Sequence, residues 1–159
     1  MLRVRDIMTR DVVSVAEDST LDSAAWKFAS ESVTGAPVRD ARGNVIGVLS
    51  RSDLVDPLRH GDKDIPVREA MTPGVWAVHP DDPAIEAVKL MVEAGVHRVI
   101  VIQGPGKLQG LVSSMDVMRV LAGGGDFHGL GELARSPEES SDEQEDGSVD
   151  GAPAVEASA

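Results

Sequence analysis

Two short stretches of the chain carry the polar side chains best placed to do chemistry. Residues 47–53 read GVLSRSD and residues 110–116 read GLVSSMD. A Ser followed three positions later by Asp, directly after an apolar strand, is close to a capping box, in which the Ser hydroxyl and the carboxylate each accept a hydrogen bond from a backbone N–H. The carboxylate also complements the helix dipole. Each stretch alone therefore predicts a helix start, with its Gly as a close-packing point in the strand.

No other pattern is typical of an enzyme or a metal site. The chain has no Cys, which excludes disulfides and thiolate ligands and fits a reducing, cytoplasmic compartment. The His residues are His60, His79, His97 and His128. They lack ligand spacing, and no nucleophile elbow or phosphate-binding loop is present. We expect no catalytic residue, no metal and no required cofactor.

Charge is divided unevenly along the chain. The net charge is −12, but residues 1–122 hold 14 basic and 17 acidic residues, a net of −3, whereas residues 123–159 hold one and 10, a net of −9. A near-neutral body with 3% aromatic residues lacks the basic stripe and stacking platform of a nucleic-acid-binding protein. No apolar run approaches 18 residues and charges interrupt the first 11, so we expect no membrane span and no signal peptide.

A gapless shift of 63 positions brings the chain into register with itself. The matches run from VRDIMT at residues 4–9 over VREAMT at residues 67–72 to the pairs Val12/Val75, Val15/Val78, Asp18/Asp81, Ala24/Ala87, Val33/Val96, Val38/Val101, Gly43/Gly106, Gly47/Gly110, Ser50/Ser113 and Asp53/Asp116. This predicts two copies of one unit, residues 1–63 and 64–122, packed about a pseudo-twofold axis.

Each copy reads as β-α-β-β-α, which places the chain in the α+β (α/β) fold class. Strands are predicted at residues 12–15, 36–39 and 45–49, and at residues 75–78, 99–102 and 108–112. The first helix of each copy has one apolar face, made by Leu21, Ala24, Ala25 and Phe28 or by Ala84, Ala87, Val88 and Met91. Asp82 before Pro83 predicts an N-cap followed by proline at the first helical position.

The second helices and the C-terminal segment complete the predicted organisation. Second helices start at about Ser50 and Ser113, with Leu54, Val55 and Leu58 or Val117, Val120 and Leu121 as apolar positions. We expect Trp26 and Trp76 to be packing residues. Residues 127–134 resemble a docking turn of helix, and from Ser136 onward the composition predicts disorder.

The chain resembles tandem CBS domains, the family named from cystathionine β-synthase. The resemblance is carried by the duplicated motif, by the V-x-D-x-M-T-like segment before each copy and by the β-α-β-β-α order. The resemblance covers about residues 3–121. It implies a disc-like pair, a stand-alone Bateman module with two clefts between its units. Such modules regulate other proteins, often as energy sensors, by binding AMP, ADP, ATP or S-adenosylmethionine, and they usually form homodimers through helices.

The resemblance also assigns roles to residues. Asp53 and Asp116 are expected to hold ribose hydroxyls, and Ser50 and Ser113 to lie near phosphate together with Arg51, His97 and Arg98. Expected adenine-pocket residues are Val13, Ala36, Pro37, Trp76, Val99 and Ile100. Pro37 matches the family pattern in the second strand and Ile100 does not. If one cleft alone binds phosphate strongly, we expect it to be the one that His97 and Arg98 face.

The first interpretation is thus a nucleotide-sensing module with an unknown regulated partner, and we expect it to bind neither nucleic acid nor membrane. Two other interpretations compete with it. In one, Ser-x-x-Asp only caps helices, and the chain is a ligand-free interaction module. In the other, the chain is an enzyme such as a weak nucleotide hydrolase, which the missing phosphate-binding loop and nucleophile disfavour.

Overall fold

Helices and strands alternate along the two stretches that the computed structural model describes, residues 1–55 and 64–127. In chain order they are α1 (Val4–Ile7), β1 (Val15–Ala16), α2 (Leu21–Glu31), β2 (Gly35–Arg39), β3 (Val45–Ser50), α3 (Arg51–Leu54), α4 (Val67–Ala70), β4 (Thr72–Pro73), β5 (Ala77–Val78), α5 (Ala84–Ala94), β6 (Arg98–Gln103), β7 (Lys107–Ser113) and α6 (Ser114–Ala122). The predicted α+β class is confirmed. Leu58, His60 and residues 128–159 lie outside the described stretches, as does the predicted boundary at residue 63.

The first sheet has the order β1-β2-β3-β4. Strand β1 runs parallel to β2, and helix α2 makes the crossover that a parallel pair requires. The helix begins after Thr20, whose Oγ1 accepts a hydrogen bond from the Ser23 N–H at 3.1 Å. Its predicted inner face is confirmed, because Leu21 and Phe28 are buried. The expectation that Trp26 packs is wrong: this side chain is 74% exposed, on the opposite face of α2.

The second sheet, β5-β6-β7, repeats the first three strands with the same directions. Helix α5 buries Ala84, Ala87, Val88 and Met91, as predicted. Its predicted cap is wrong, because the N-cap residue is Pro83. The Asp82 carboxylate instead accepts a hydrogen bond from the His79 N–H at 2.8 Å, closing the turn before the helix.

The first strand of each copy is shorter than predicted and lies further along the chain. The predictions at residues 12–15 and 75–78 become β1, Val15–Ala16, and β5, Ala77–Val78. Apolar composition suggested longer strands, but only two residues of each find ladder partners on β2 or β6. The residues before them lie outside the ladders, although Trp76 O still accepts a hydrogen bond from Ile100 N at 2.9 Å.

The lead-in segment of each copy, residues 2–9 or 65–72, packs in the core of the other copy. Val4 and Ile7 of α1 are buried with residues of α5, β6, β7 and α6. Val67 and Ala70 of α4 are buried with residues of α2, β2 and β3. Matched backbone hydrogen bonds join them, from Val4 N to Asp82 O at 2.9 Å and from Val67 N to Ser19 O at 2.8 Å.

The motif glycines are where these exchanged segments approach the sheets most closely. A Cβ on Gly47 would lie 2.6 Å from the Thr72 carbonyl oxygen, and a Cβ on Gly110 would lie 2.7 Å from the Thr9 carbonyl oxygen. Both distances are far inside van der Waals contact. The predicted close-packing role of the motif Gly is therefore confirmed, and its partner is the lead-in segment of the other copy.

Contacts between the copies repeat under the 63-residue shift. Thr72 pairs with Val48 on β3, and Thr9 pairs with Leu111 on β7. Asn44 pairs with Lys107, and these two residues occupy equivalent positions in the two copies. This pattern indicates that a pseudo-twofold axis relates the two units and passes near the Asn44–Lys107 pair.

The chain beyond α6 returns to the second core. Phe127 is 2% exposed and packs in the cluster that contains Val4 and Val88. The predicted docking stretch of residues 127–134 thus begins with a docked residue, and its remaining residues lie outside the described part of the chain.

We expect Gly47→Ala and Gly110→Ala each to lower the free energy of unfolding by about 1–3 kcal/mol, because the new methyl group must displace a backbone carbonyl. Gly35→Ala is the matched strand control, since its Cβ meets its nearest atom at 3.4 Å. Urea denaturation followed by circular dichroism measures all three. Equal stability of the three variants would contradict the close approach.

Candidate functional site

A cavity of about 570 Å³ lies between the two units. Three parts of the fold line it: strands β2 and β3 of the first copy, strands β6 and β7 of the second, and the segment from β4 toward β5. The lining residues are Gly35, Ala36, Pro37, Val48, Thr72, Pro73, Gly74, Val75, Trp76, Val96, Arg98, Ile100 and Leu111. The volume is within the range of small-molecule sites, and the lining is mainly apolar.

The lining is symmetric in part. Gly35 and Arg98 are counterparts under the 63-residue shift, as are Pro37 and Ile100, and Val48 and Leu111. Residues 72–76 also line the cavity, whereas their counterparts, residues 9–13, do not. The cavity therefore lies near the pseudo-twofold axis, and residues 72–76 give it one wall that has no counterpart from the first copy.

Trp76 forms much of that wall. Its side chain is 55% exposed and lines the cavity, so the expectation that it is a packing residue is wrong. The sequence signal that pointed to this place was the family resemblance, which names Trp76 among the expected adenine-pocket residues. Periodicity gave no such signal, because residues 74–76 lie outside regular elements. An indole face at the mouth of an apolar cavity offers a stacking surface to a planar ring.

Arg98 supplies the positive charge on the cavity lining. Its Nη2 donates a hydrogen bond to the Oγ1 of Thr34 at 3.4 Å, so the side chain reaches across to the first copy. His97 is exposed and lines a separate hollow beside α5 and α6. The two neighbours that the sequence grouped together therefore face different surfaces.

The Ser-x-x-Asp motifs form the predicted helix starts, with reciprocal bonds in both copies. In the second copy, the Asp116 Oδ2 accepts hydrogen bonds from the Ser113 N–H at 2.8 Å and from the Ser113 Oγ at 2.7 Å. In the first copy, the Asp53 Oδ2 accepts from the Ser50 N–H at 2.7 Å and from the Ser50 Oγ at 2.9 Å. The Ser50 and Ser113 hydroxyls and their partner carboxylates are thus engaged with each other.

The two carboxylates differ in their remaining contacts. Asp116 is 7% exposed, and its Oδ1 accepts hydrogen bonds from Arg119 Nη1 at 3.1 Å and from Thr9 Oγ1 at 3.5 Å. Asp53 is half-buried, and within residues 1–55 and 64–127 its recorded bonds are those from Ser50. The repeated motif is therefore more tightly closed in the second copy.

The remaining sequence candidates are dispersed. Ala36, Pro37 and Ile100 line the cavity. Val99 is fully buried in the second core instead, and Val13 is half-buried away from the lining. Arg51 is exposed at the start of α3 and is not part of the lining.

Neither a metal-binding cluster nor a membrane-spanning helix is present among the described residues. Residues 1–55 and 64–127 hold no cluster of three or more His, Cys, Asp or Glu that could bind a metal ion. The same residues hold no helix long and apolar enough to cross a membrane.

The chain is thus a pair of β-α-β-β-α units with exchanged lead-in segments and a cavity between them. The chain belongs to the CBS domain family, whose model matches residues 4–60 and 67–123. The two matches follow the 63-residue repeat.

Known proteins are similar over the same region. An uncharacterised protein of Methanocaldococcus jannaschii is 28% identical over 122 residues, which are 77% of this chain and 40% of that protein. The match thus spans less than half the length of that relative.

Crystal structures are similar as well. CBSX2 in complex with AMP has a TM-score of 0.68 and 26% identity, covering 77% of this chain and 98% of that one. A CBS domain pair in complex with 5′-methylthioadenosine and S-adenosyl-L-methionine has a TM-score of 0.68 at 22% identity, covering 78% and 98%, and shows the shared fold.

We expect Asp116→Ala to lower the free energy of unfolding by about 1–3 kcal/mol, because it leaves the half-buried Ser113 N–H without its carboxylate acceptor. Asp53→Ala should lower the free energy of unfolding by less, since this carboxylate is more exposed and has fewer recorded hydrogen bonds. Asp11→Ala is an exposed control. Urea denaturation gives the order, and a larger loss for Asp53→Ala would contradict it.

Proposed function

We propose that this chain is a regulatory module that binds an adenosine-bearing nucleotide in the cavity between its two CBS units. The observation that carries this proposal is an apolar cavity of about 570 Å³ with an indole at one wall and one guanidinium on its lining. An aromatic face and an apolar wall suit a purine base, and a guanidinium suits a phosphate. The cavity thus combines the two kinds of group that a nucleotide needs.

The base is proposed to lie against Trp76, with Pro37 and Ile100 supplying further apolar surface of the same cavity. Both of these residues are buried, so they keep a fixed wall. Stacking of a base on an aromatic side chain contributes about 1–3 kcal/mol. Purine is favoured over pyrimidine because it covers more of the indole.

The phosphate is proposed to pair with Arg98. A planar guanidinium can donate two parallel hydrogen bonds to phosphate oxygens, and its weak bond to Thr34 at 3.4 Å is readily exchanged. The AMP complex of CBSX2, 26% identical to this chain, supports a phosphorylated adenosine. S-adenosylmethionine carries no phosphate, and we place it second.

Regulation would follow from the position of the cavity, whose walls come from both units. A bound ligand changes their arrangement only if it binds one arrangement better than another. The regulated activity is proposed to lie outside the two CBS units. A homodimer through helices, a role in energy sensing and the predicted absence of nucleic-acid binding remain predictions.

A ligand-free interaction module is the second candidate. It is favoured by the Ser-x-x-Asp motifs, whose Ser and Asp side chains bond to each other and act as helix caps. In that case the exposed apolar side chains of α5 and α6, among them Val92 and Met118, would provide the contact surface.

Trp26→Phe should leave a protein with Trp76 as its sole Trp, since the chain has two Trp residues and no Tyr. Adding AMP is expected to quench its emission, because the base stacks on the indole. Titrations with AMP, ADP, ATP and S-adenosylmethionine would rank the ligands. Trp76→Phe, which keeps the exposed Trp26, is the control and should not respond. A response to none of the four ligands would favour the interaction module.

Arg98→Ala is expected to weaken AMP binding about tenfold or more, because a charge-assisted hydrogen bond is lost. Binding of adenosine, which has no phosphate, should change little. Arg42→Ala, an exposed arginine in the β2–β3 turn, is the control and should leave both ligands unchanged. Isothermal calorimetry measures the two affinities. Equal losses for AMP and adenosine would show that Arg98 does not contact phosphate.

A further inference from the structure

A hollow of about 430 Å³ lies between α5 and α6 of the second copy. Its lining is mainly apolar, and the exposed side chains of Val92 and Met118 form part of it. We infer that residues 128–134 of the same chain cover this helix hollow, and that Leu130 and Leu133 are the side chains that enter it. The inference is independent of the nucleotide site, because it concerns the surface through which the module would contact a partner.

Phe127 fixes the point from which this segment leaves the described part of the chain. Its ring is 2% exposed and packs with Val88 and Met91 in the second core. Together with Asp126 it also borders a small groove at the start of α5, beside Ala84. The segment that follows is therefore held against the helix that forms one side of the helix hollow.

Helix α5 connects that point with the helix hollow. Four residues spaced by four, three and four positions lie on one stripe along this helix and its C-cap: Ala84, Val88, Met91 and Gly95. Ala84 borders the groove beside Phe127, and the other three line the helix hollow. The groove and the helix hollow thus lie along the same side of α5.

The segment is long enough to follow this stripe. An extended chain advances about 3.3 Å per residue, so Leu130 can lie up to about 10 Å from Phe127, and Leu133 up to about 20 Å. The near end of the helix hollow, at Val88, is about 6 Å along α5 from Ala84. Both leucines can therefore reach the helix hollow while Phe127 stays in the core.

Composition distinguishes these two leucines from the rest of the C-terminal chain. Beyond residue 127 there are four large aliphatic residues, namely Leu130, Leu133, Val149 and Val155. The two valines stand among acidic residues, in a stretch that has no basic residue after position 135. Leu130 and Leu133 are three positions apart, so one turn of helix places both on the same side. Their burial against Val92 and Met118 removes apolar surface on both sides from water.

Tethering favours this segment over a second copy of the chain or a separate partner. A segment joined by a short flexible linker is present at its site at an effective concentration of about millimolar. A free partner at a lower concentration must therefore displace it before contacting Val92 and Met118. Access to the outer face of α5 and α6 is thereby set by the chain's own C-terminal segment.

The test compares two methionines of α6 that have similar exposure but different positions. Met115 and Met118 are 51% and 53% exposed, and of the two Met118 lines the helix hollow. Dilute hydrogen peroxide converts an accessible methionine to its sulfoxide. In the unchanged chain we expect Met118 to be oxidised about tenfold more slowly than Met115, at any protein concentration, because the segment covers it. Both methionines lie in one tryptic peptide, residues 108–119, so mass spectrometry of its fragments gives the two rates.

Two double variants of the full chain assign the protection to the leucines. Leu130→Ser combined with Leu133→Ser should bring the two oxidation rates within about twofold of each other. Val149→Ser combined with Val155→Ser is the matched control and should leave Met118 protected, because it removes aliphatic side chains of the same chain further from Phe127. Slow oxidation of the buried Met91 shows in each protein that the second core is intact.

The unchanged chain alone can overturn the inference, through equal oxidation of Met115 and Met118. Protection of Met118 that falls on dilution would overturn it as well and would indicate that a second copy covers the helix hollow. Protection that survives the two leucine substitutions would show that something other than this segment covers Met118. None of these outcomes bears on nucleotide binding in the cavity between the units.

Discussion

The exchange of lead-in segments between the two copies is the constraint on which the rest of the structure depends. Val4 and Ile7 complete the second core, and Val67 and Ala70 complete the first. Burial of an aliphatic side chain of this size contributes about 1.5–3 kcal/mol, so neither copy has a full core without the other. The glycine of each motif is required by the same exchange, because the incoming backbone occupies the place of its Cβ. The cavity exists because this interlock holds the two sheets at a fixed separation.

Duplication produced two equivalent positions around that cavity, and substitution has since made them different. Differences occur on the lining, where Arg98 faces Gly35 and the wall of Trp76 corresponds to that of Val13. Core positions differ as well, since Leu21 corresponds to Ala84, Phe28 to Met91 and Leu49 to Val112, but all six are apolar and buried. A buried position must stay apolar, whereas a cavity wall tolerates residues of different charge. The change in charge between Gly35 and Arg98 therefore falls on the lining and not in a core.

Most of the fold could be predicted from this sequence, because its signals are local or periodic. The gapless shift revealed the duplication, and the 3.6-residue period identified the buried faces of α2 and α5. The crossing of the lead-in segments could not be predicted, since a four-residue helix such as α1 has no period to read and its partners lie about 80 positions away. The site was predicted in part. The family resemblance named Arg98, Pro37, Ile100 and Trp76, which line the cavity. The closure of Asp116 by Thr9 could not be predicted, because it depends on a contact between the copies.

The segment that lines the open side of the cavity connects the two cores. It leaves α4, buried in the first core, pairs as β4 with β3, and continues to β5 of the second sheet. A molecule seated against Trp76 therefore contacts the covalent link between the units as well as both sheets. Gly47 leaves no space for this segment to slide along β3. The Asn44–Lys107 pair lies near the pseudo-twofold axis, where a rotation of one sheet against the other would displace atoms least. The proposed regulation requires that a bound nucleotide favour one angle between the units over another.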